Sequence, residues 1–385
     1  MSVLNIEIVG VSPHNKGALL MLEAIRERFS QHLPGARFAV PFTWPTDKRM
    51  HYGLYSTYPR DRGGFDKSRL CELVPRGFRQ GVGFMAPSDI DVVLDASGFA
   101  YGDYWGLQKL QRRLVAVATN WKTDRNTFVV LPQALGPFKE PGMASAFEKV
   151  LGKADLICVR DKTSMQHVQG LAADKHNVRL RPDFTNLLHP ELPERLREVQ
   201  GAVLLIPNEK MVGQDQARRN TYLAFLRCAA AQLGATGRRL ALLVHEGDGD
   251  RRLAVELNAM LPQPIEVLDE PSPLVTKAII GVAHATVSSR FHGLISALAA
   301  AVPSVACGWT HKYQEVMADY GCIHLNIDLA NQAAWQPTLQ RLMAAAQHAE
   351  ARRQLASAAA DQRSLSEAMW AEVFALLRRR HPEAA

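Results

Sequence analysis

Aromatic residues make up only 7% of this 385-residue chain, and its charges are spread along the sequence rather than grouped. It lacks a strip of interleaved basic and aromatic side chains, so we expect no nucleic-acid partner. Long apolar runs are scarce as well. The longest, residues 293–309, is interrupted by Pro303 and is too short to cross a bilayer.

Cysteine is also rare. The five cysteines are odd in number and widely spaced, and no two have metal-ligand spacing. The sequence therefore predicts a reducing compartment, no metal site and no cofactor. The opening residues, MSVLNIEIVG, lack the basic stretch and apolar core of a signal peptide. We expect a cytoplasmic protein, with at most peripheral association at the inner face of a membrane; the oligomeric state is left open.

The composition favours a folded chain that binds anions. Hydrophobic residues make up 47% of the sequence, which is ample for packed cores, and the length suits two domains. The formal net charge is +7. This excess favours anionic partners such as phosphorylated metabolites or lipid headgroups.

Short apolar strands alternate with helical segments from end to end. Examples are VLNIEIV before a helix at about 17–33, DIDVVLDAS before GLQKLQRRLVAVAT, and NTFVVLPQALG before MASAFEKVL. Strands that are apolar almost throughout are typical of parallel sheets covered on both faces. The pattern predicts an α/β fold with two Rossmann-like, doubly wound sheets that face a cleft, as in the GT-B architecture.

The alternation breaks at residues 189–201, which hold two prolines and a run of charges, and then restarts. We predict an N-terminal domain over 1–190, a C-terminal domain over 200–350 that includes a strand in CIHLNID, and a final helix over 360–381. A capping box, Ser364 to Glu367, is expected to open the final helix, which would pack back on the first domain.

In wound sheets, ligands bind at the carboxyl ends of the strands, where helix N-termini present backbone N–H groups. Polar residues at such ends in the first half are Asn15 and Gly17, Asp95, Gln133, and Arg160. Each also has a structural interpretation: a turn, a helix cap, or for Arg160 a salt bridge to Asp161 or Asp183.

In the second half, the most informative segment is VSSRFHGL, in which Ser289, Arg290 and His292 follow an apolar strand. An arginine and a histidine at a strand-to-helix corner suit anion binding and proton transfer near pH 7. Lys312 follows the next strand. His245 opens HEGDGD, which is otherwise expected to be a solvated acidic turn.

These segments resemble the polysaccharide pyruvyl transferase family. The resemblance runs from about residue 8 to 325 through HNKGA, LPQALGPF, ADLICVRDKTS, PDF and the specific block VSSRFHGLISALAAAVPSVACGWTHK. Members of that family move pyruvyl from phosphoenolpyruvate to a sugar, commonly as a ketal. The resemblance implies a GT-B-like fold, an acceptor side in the first domain and a donor side in the second. It matches Arg290, His292 and Arg160 to family positions, and Asp95 to an acidic position near the donor.

The implied site assigns catalysis to His292, Asp95 and Arg290. The substrate-binding residues would be Arg160, Lys312, Ser289, Asn15, Gly17, Gln133 and His245. In this interpretation the cations hold phosphoenolpyruvate, His292 protonates C3 or the leaving group, and Asp95 takes the proton of the attacking hydroxyl. The partners are phosphoenolpyruvate and a sugar or lipid-linked saccharide.

Two other interpretations stay open, because a fold does not decide a function. One is a GT-B nucleotide-sugar glycosyltransferase, for which Glu246 or Glu270 would be the ribose-binding carboxylate. The other is a non-catalytic glycan-binding relative. Stabilisation by phosphoenolpyruvate, by a nucleoside diphosphate or by sugar alone distinguishes the three.

Overall fold

The computed structural model describes residues 3–58, 67–171, 176–213 and 215–384. The chain forms two compact units that interleave along the sequence. Unit 1 comprises residues 1–13, 21–184 and 365–385, and unit 2 comprises residues 14–20 and 185–364. Both contain a parallel sheet, so the predicted fold class is confirmed.

Unit 1 is built on a sheet with the order β4-β3-β2-β1-β5-β7-β8-β9, and β6 pairs with β7. Its strands are β1 Asn5–Val9, β2 Arg37–Pro41, β3 Tyr55–Thr57, β4 Phe84–Met85, β5 Val92–Asp95, β6 Phe99–Tyr101, β7 Thr127–Leu135, β8 Leu156–Val159 and β9 Val178–Leu180. All pairings are parallel. The central strands are buried along their whole length, as their apolar sequences require.

Helices cover this sheet. They are α1 Lys16–His32, α2 Thr46–Tyr52, α3 Arg76–Gly81, α4 Leu107–Leu110, α5 Met143–Leu151 and α6 Lys162–Gln169. The α4 segment continues through π-helical turns to Trp121. A core that includes Tyr101, Phe128 and Phe147 lies between these helices and the sheet.

Unit 2 has a five-stranded sheet with the order β12-β11-β10-β13-β14. Its strands are β10 Val203–Ile206, β11 Leu240–Leu243, β12 Glu266–Leu268, β13 Ala285–Ser288 and β14 Ser304–Ala306. Its helices are α7 Gln216–Gly234, α8 Gly247–Ala259, α9 Pro273–Gly281, α10 Phe291–Ala299, α11 His311–Asp319 and α12 Trp335–Gln347. The predicted strand in CIHLNID is wrong: Ile323–Leu325 is a 3-10 turn, and only Asn326 bridges to Ala306.

Both sheets are wound in two directions from a switch point. In unit 1 the winding reverses between β1 and β5, and in unit 2 between β10 and β13. At such a point the loops after the two central strands diverge and leave a crevice. Asp95 ends β5, and Ser289 and Arg290 follow β13, so the sequence-predicted residues stand at the switch points.

The last helix, α13, is a single helix from Ala349 to Arg380 rather than one that begins near 360. Ser364 lies in its interior and donates to the Ala360 carbonyl, so the predicted capping box at this position is wrong. Its residues 365–380 belong to unit 1, where Trp370 is fully buried and packs against Phe29 and Phe184. Among the described residues, no helix has the length and apolarity needed to span a bilayer.

Candidate functional site

The best-formed polar site of unit 2 is a group of side chains that we call the basic cluster: Lys16, His245, Arg290 and His292. His245 follows β11, Arg290 and His292 follow β13, and Lys16 lies in the loop 14–20 that packs with this unit. The other three residues lie close enough to the His245 ring to interact with it electrostatically. The cluster therefore assembles side chains from three separate segments of sequence.

Arg290 is held by protein carboxylates. Its Nε donates to Asp250 Oδ2 over 2.8 Å, and its terminal nitrogens donate to Asp250 Oδ1 and Glu246 Oε2. Arg290 is only 7% exposed and Asp250 is fully buried. The expected solvated turn is therefore wrong for Asp250, although Asp248 is exposed. An arginine engaged in this way holds the surrounding loops in place.

His245 is the most unusual member of the cluster. Its ring is buried, with 3% of the side chain exposed, and neither ring nitrogen has a hydrogen-bond partner among the described residues. Burial, reinforced by the charges of Arg290 and Lys16, holds the pKa of His245 well below its usual value. A buried polar ring with two unused nitrogens is a site at which a ligand can complete the hydrogen bonding.

His292 lies in the first turn of α10, against Gly17 in the first turn of α1. A methyl group on Gly17 would overlap the His292 ring, and one on Gly293 would crowd Ser288 and His245. Gly17 thus permits the close approach of the His292 ring, and Gly293 leaves room for Ser288 and His245. This explains why a small residue follows the lysine in HNKGA and why a glycine follows the histidine in RFHG.

Lys16 was missed by the sequence analysis, which considered only its neighbours. Its ammonium donates to the Val244 carbonyl over 3.0 Å and lies 3.8 Å from Asp269 Oδ1. Burial lowers the pKa of Lys16, and Asp269 opposes the shift. Asn15 caps the same loop: its Oδ1 accepts from Ala18 N, and its Nδ2 donates to Glu246 Oε1 over 2.7 Å.

The loops after β13 and β14 are tied together beside the basic cluster. Tyr313 donates its hydroxyl to the Ser289 carbonyl over 2.8 Å, and Asn208 donates to the same carbonyl. The Lys312 ammonium lies 4.8 Å from the centre of the Phe291 ring and 5.8 Å from that of Trp309. Lys312 therefore stands over aromatic faces at this edge of the sheet.

In unit 1, Asp95 is the centre of a buried network. Its Oδ2 accepts from the Tyr101 hydroxyl over 2.6 Å, and its Oδ1 accepts from Ser97 N and from Gln133 Nε2. The carboxylate is fully buried, and burial raises the pKa of Asp95. A carboxylate so enclosed orients its neighbours, so the geometry favours a positioning role over direct contact with a hydroxyl.

Two more predicted residues lie at the same edge of the unit 1 sheet. Gln133 is fully buried, and its Oε1 has no hydrogen-bond partner among the described residues. Arg160 Nη1 lies 3.4 Å from Asp183 Oδ2. The same nitrogen lies close to the turn at Gly98. The salt bridge between Arg160 and Asp183, one of the two that the sequence suggested, is therefore present.

Comparison with known proteins identifies the family. A model described as polysaccharide pyruvyl transferase matches residues 15–311, which include the basic cluster and Arg160. The chain belongs to the polysaccharide pyruvyl transferase family. The resemblance carried by the RFHG block is thus confirmed.

Several solved structures share the fold of this chain. A Listeria monocytogenes protein described as a UDP-N-acetylglucosamine 2-epimerase aligns over 98% of both chains with a TM-score of 0.61 and 11% identity. A Methanocaldococcus jannaschii UDP-GlcNAc 2-epimerase, in complex with UDP-GlcNAc and UDP, aligns over 89% of this chain and 93% of its own, with a TM-score of 0.55 and 10% identity. The Anabaena protein HepE, in complex with UDP and glucose, covers 97% of this chain and 100% of its own, with a TM-score of 0.55 and 12% identity. At these identities the likeness concerns the fold alone.

Proposed function

We propose that this family member transfers the pyruvyl group of phosphoenolpyruvate to a sugar of a cell-surface glycan or its precursor, and that the product is a ketal. The family supports a transferase of this class. The observation that carries the proposal for this chain is the basic cluster, in which a buried imidazole without a partner among the described residues lies next to a second histidine. Such a pair suits a reaction made of proton transfers.

The reaction balances without an external oxidant or reductant. The π electrons of the enol ester take a proton at C3, and one sugar hydroxyl forms a bond to C2. The C2–O bond to phosphate breaks, phosphate leaves with its electron pair, and a second hydroxyl adds to C2. One of the two hydroxyl protons returns to the acid that protonated C3. The other leaves with the phosphate. The scheme uses no cofactor and no metal.

The proton at C3 is assigned to His292, which stands at the cluster's edge in the first turn of α10. The depressed pKa keeps His245 neutral near pH 7, so its ring can hydrogen-bond the donor through one nitrogen that donates and one that accepts. Lys16 and Lys312 supply the positive charge for carboxylate and phosphate. Arg290 acts as a positioning residue, since Asp250 and Glu246 engage its guanidinium.

The acceptor side is assigned to the unit 1 edge. Gln133 Oε1 is a buried acceptor that a sugar hydroxyl can satisfy, and Asp95 fixes the amide of the same side chain. Arg160 has a supporting role at this edge, whereas Ser289, Asn15 and Gly17 support the basic cluster of unit 2. We also propose a cytoplasmic location with at most peripheral membrane contact.

A thermal-shift series tests the assignment against its competitors, because a ligand that binds only the native state raises the unfolding temperature. We expect phosphoenolpyruvate to stabilise the protein and His245→Phe to remove that stabilisation. The UDP complexes of proteins with this fold make a nucleotide-sugar transferase the second candidate. Stabilisation by UDP with none by phosphoenolpyruvate would favour it, and a response to free sugar alone would indicate a binding protein.

A further inference from the structure

A cavity opens in unit 2, at the carboxyl end of β14. Its volume is about 580 Å³, within the range of sites that hold small organic ligands. Its lining comes from four segments: Met211, the start of α7, the loop that leads from β14 into the first turns of α11, and residues 326–330. The cavity is open to solvent, and its lining mixes polar and apolar side chains.

Two polar atoms in its wall are buried and unused. Thr310 is the residue before α11, yet its side chain makes no capping hydrogen bond, and its Oγ1 has no partner among the described residues. Asn326 Oδ1 is likewise buried without a partner in the described part of the chain. Buried polar atoms of native proteins are nearly always paired, so the two atoms mark unused hydrogen-bonding capacity in the wall of the cavity.

The charges around the cavity define what that ligand carries. Arg218 lines it from the first turn of α7, with an exposed guanidinium that makes no ion pair with any other described residue. The N-terminus of the nine-residue helix α11 lines it as well, and a helix N-terminus favours negative charge. A phosphate group matches both.

The remaining wall suits a ring with hydroxyl groups. Trp309 presents a half-buried indole to the cavity, and Asp328 adds an exposed carboxylate. An aromatic face packs against a sugar ring or a base, while carboxylate and amide oxygens accept hydrogen bonds from hydroxyls. A cation, a carboxylate, two amides and an indole around a single space describe a site for a phosphorylated sugar.

The cavity is separate from the basic cluster. His245 follows β11 and the cavity follows β14, and β10 and β13 lie between those two strands in the sheet. The hydrogen bond from Tyr313 to the Ser289 carbonyl stands between the two positions, because Tyr313 lines the cavity while Ser289 precedes Arg290. A ligand at one site therefore leaves the other free for a second ligand.

We propose that this cavity binds the phosphate ester of a sugar, with the phosphate at Arg218 and the start of α11 and the sugar ring on Trp309. Resting on the proposed function, the ligand is the phosphate-bearing sugar at one end of a longer acceptor, and the sugar that receives pyruvyl is a different sugar of that acceptor. Two kinds of ligand carry a phosphate ester of a sugar: a sugar 1-phosphate, and a nucleotide, in which the sugar is ribose.

Isothermal titration of the full chain with four probes tests this: glucose 1-phosphate, UDP, inorganic phosphate and phosphoenolpyruvate. We expect glucose 1-phosphate or UDP to bind more tightly than inorganic phosphate, and the tighter of the two identifies the source of the ester. Arg218→Gln should weaken that binding at least about 10-fold, the effect typical of a lost charge-assisted hydrogen bond. Phosphoenolpyruvate binding should not change in this variant.

Arg227→Gln is the matched control, because Arg227 is also exposed on α7 but does not line the cavity. Thr310→Val provides an independent variant that keeps every charge, and it should weaken the sugar ester but not phosphoenolpyruvate. The proposal is overturned if no ester binds more tightly than inorganic phosphate, or if Arg218→Gln and Arg227→Gln have equal effects. Equal pyruvyl transfer to sugars with and without a phosphate group would also overturn the cavity proposal, and the proposed function would stand. Failure of phosphoenolpyruvate to bind or react would count against the proposed function alone.

Discussion

At the scale of single residues, the difference between a charge that binds a ligand and a charge that holds the fold decides how this site works. Arg290 and His292 are two positions apart, yet the first is enclosed by Asp250 and Glu246 and the second lies against a glycine. Substitutions at the two positions should therefore fail in different ways. Substitution of Arg290 should lower the free energy of unfolding, whereas substitution of His292 should lower the rate of pyruvyl transfer.

Arg290→Ala leaves the fully buried Asp250 without its cation, which typically costs about 3–5 kcal/mol of unfolding free energy. Urea unfolding followed by circular dichroism measures the loss. Arg251→Ala serves as the control, because Arg251 pairs with Asp248 and Asp269 at an exposed position and should contribute little. Equal losses in the two variants would show that the buried pair is not structural.

His292→Ala should abolish pyruvyl transfer and leave both folding and phosphoenolpyruvate binding close to those of the parent protein, since the ring is assigned to proton transfer. Phosphate release in the presence of an acceptor measures the activity, and calorimetry measures donor binding. His324→Ala is the control for a histidine at an exposed site. Near-normal turnover in His292→Ala would contradict the role assigned to this residue.

His245 should make the protein less stable in mild acid. Its folded pKa lies well below the unfolded value near 6.5, so the unfolded state binds the extra proton as the pH falls below that value. The contribution of His245 is thus present above about pH 6.5 and is lost progressively below it, by up to about 1.4 kcal/mol per pH unit. Unfolding free energies measured from pH 7 to 5 should fall less steeply in His245→Gln. An unchanged slope would show that the ring is protonated in the native protein.

At the scale of elements, the site depends on how closely α1 approaches α10. Gly17 opens the first turn of α1, where any side chain would overlap the His292 ring. Alanine is the better helix former by about 1 kcal/mol, so Gly17→Ala separates helix stability from the placement of the ring.

Gly17→Ala should lower pyruvyl transfer at least 10-fold with no loss of unfolding temperature, because the new methyl group displaces His292 while it favours the helix. Gly77→Ala in α3 is the matched control, since nothing lies within 4 Å of its added methyl group. A fully active Gly17→Ala protein would mean that the ring can move without consequence.

The elements also show what sequence patterns can and cannot predict. The alternation of apolar strands and helices predicts the parallel sheets, because strands that are buried on both faces are apolar along almost their whole length. The local pattern around Ser364 suggests a helix start, but the helix continues through it from Ala349. A capping signal is local and worth little free energy, so the long apolar face of α13 overrides it.

At the scale of the whole molecule, chain order and unit order differ. Loop 14–20 belongs to unit 2 although strands of unit 1 flank it in sequence, and the end of α13 belongs to unit 1. Position along the chain assigned Asn15 and Gly17 to the first domain, whereas their contacts with Glu246 and His292 lie in unit 2. Lys16 escaped notice for the same reason: its partners Val244 and Asp269 are more than two hundred residues away.

Unit 1 should depend on the far end of the chain. Trp370 is fully buried against Phe29, Phe184 and Phe374, so Trp370→Ala removes a large core side chain and should cost about 3–5 kcal/mol. Leu365→Ala, at a position that is 42% exposed on the same helix, should cost far less. Chemical denaturation of the two variants measures the difference, and similar costs would show that α13 is not part of the unit 1 core.

The central claim is that this molecule moves pyruvyl from phosphoenolpyruvate to a sugar. Mass spectrometry of the purified protein with phosphoenolpyruvate and a panel of free, phosphorylated and lipid-linked sugars tests it most directly. We predict an acceptor whose mass grows by one pyruvate less one water, with one phosphate released per product and no product from His292→Ala. Untouched phosphoenolpyruvate, together with glycosyl transfer from a nucleotide sugar, would contradict the claim.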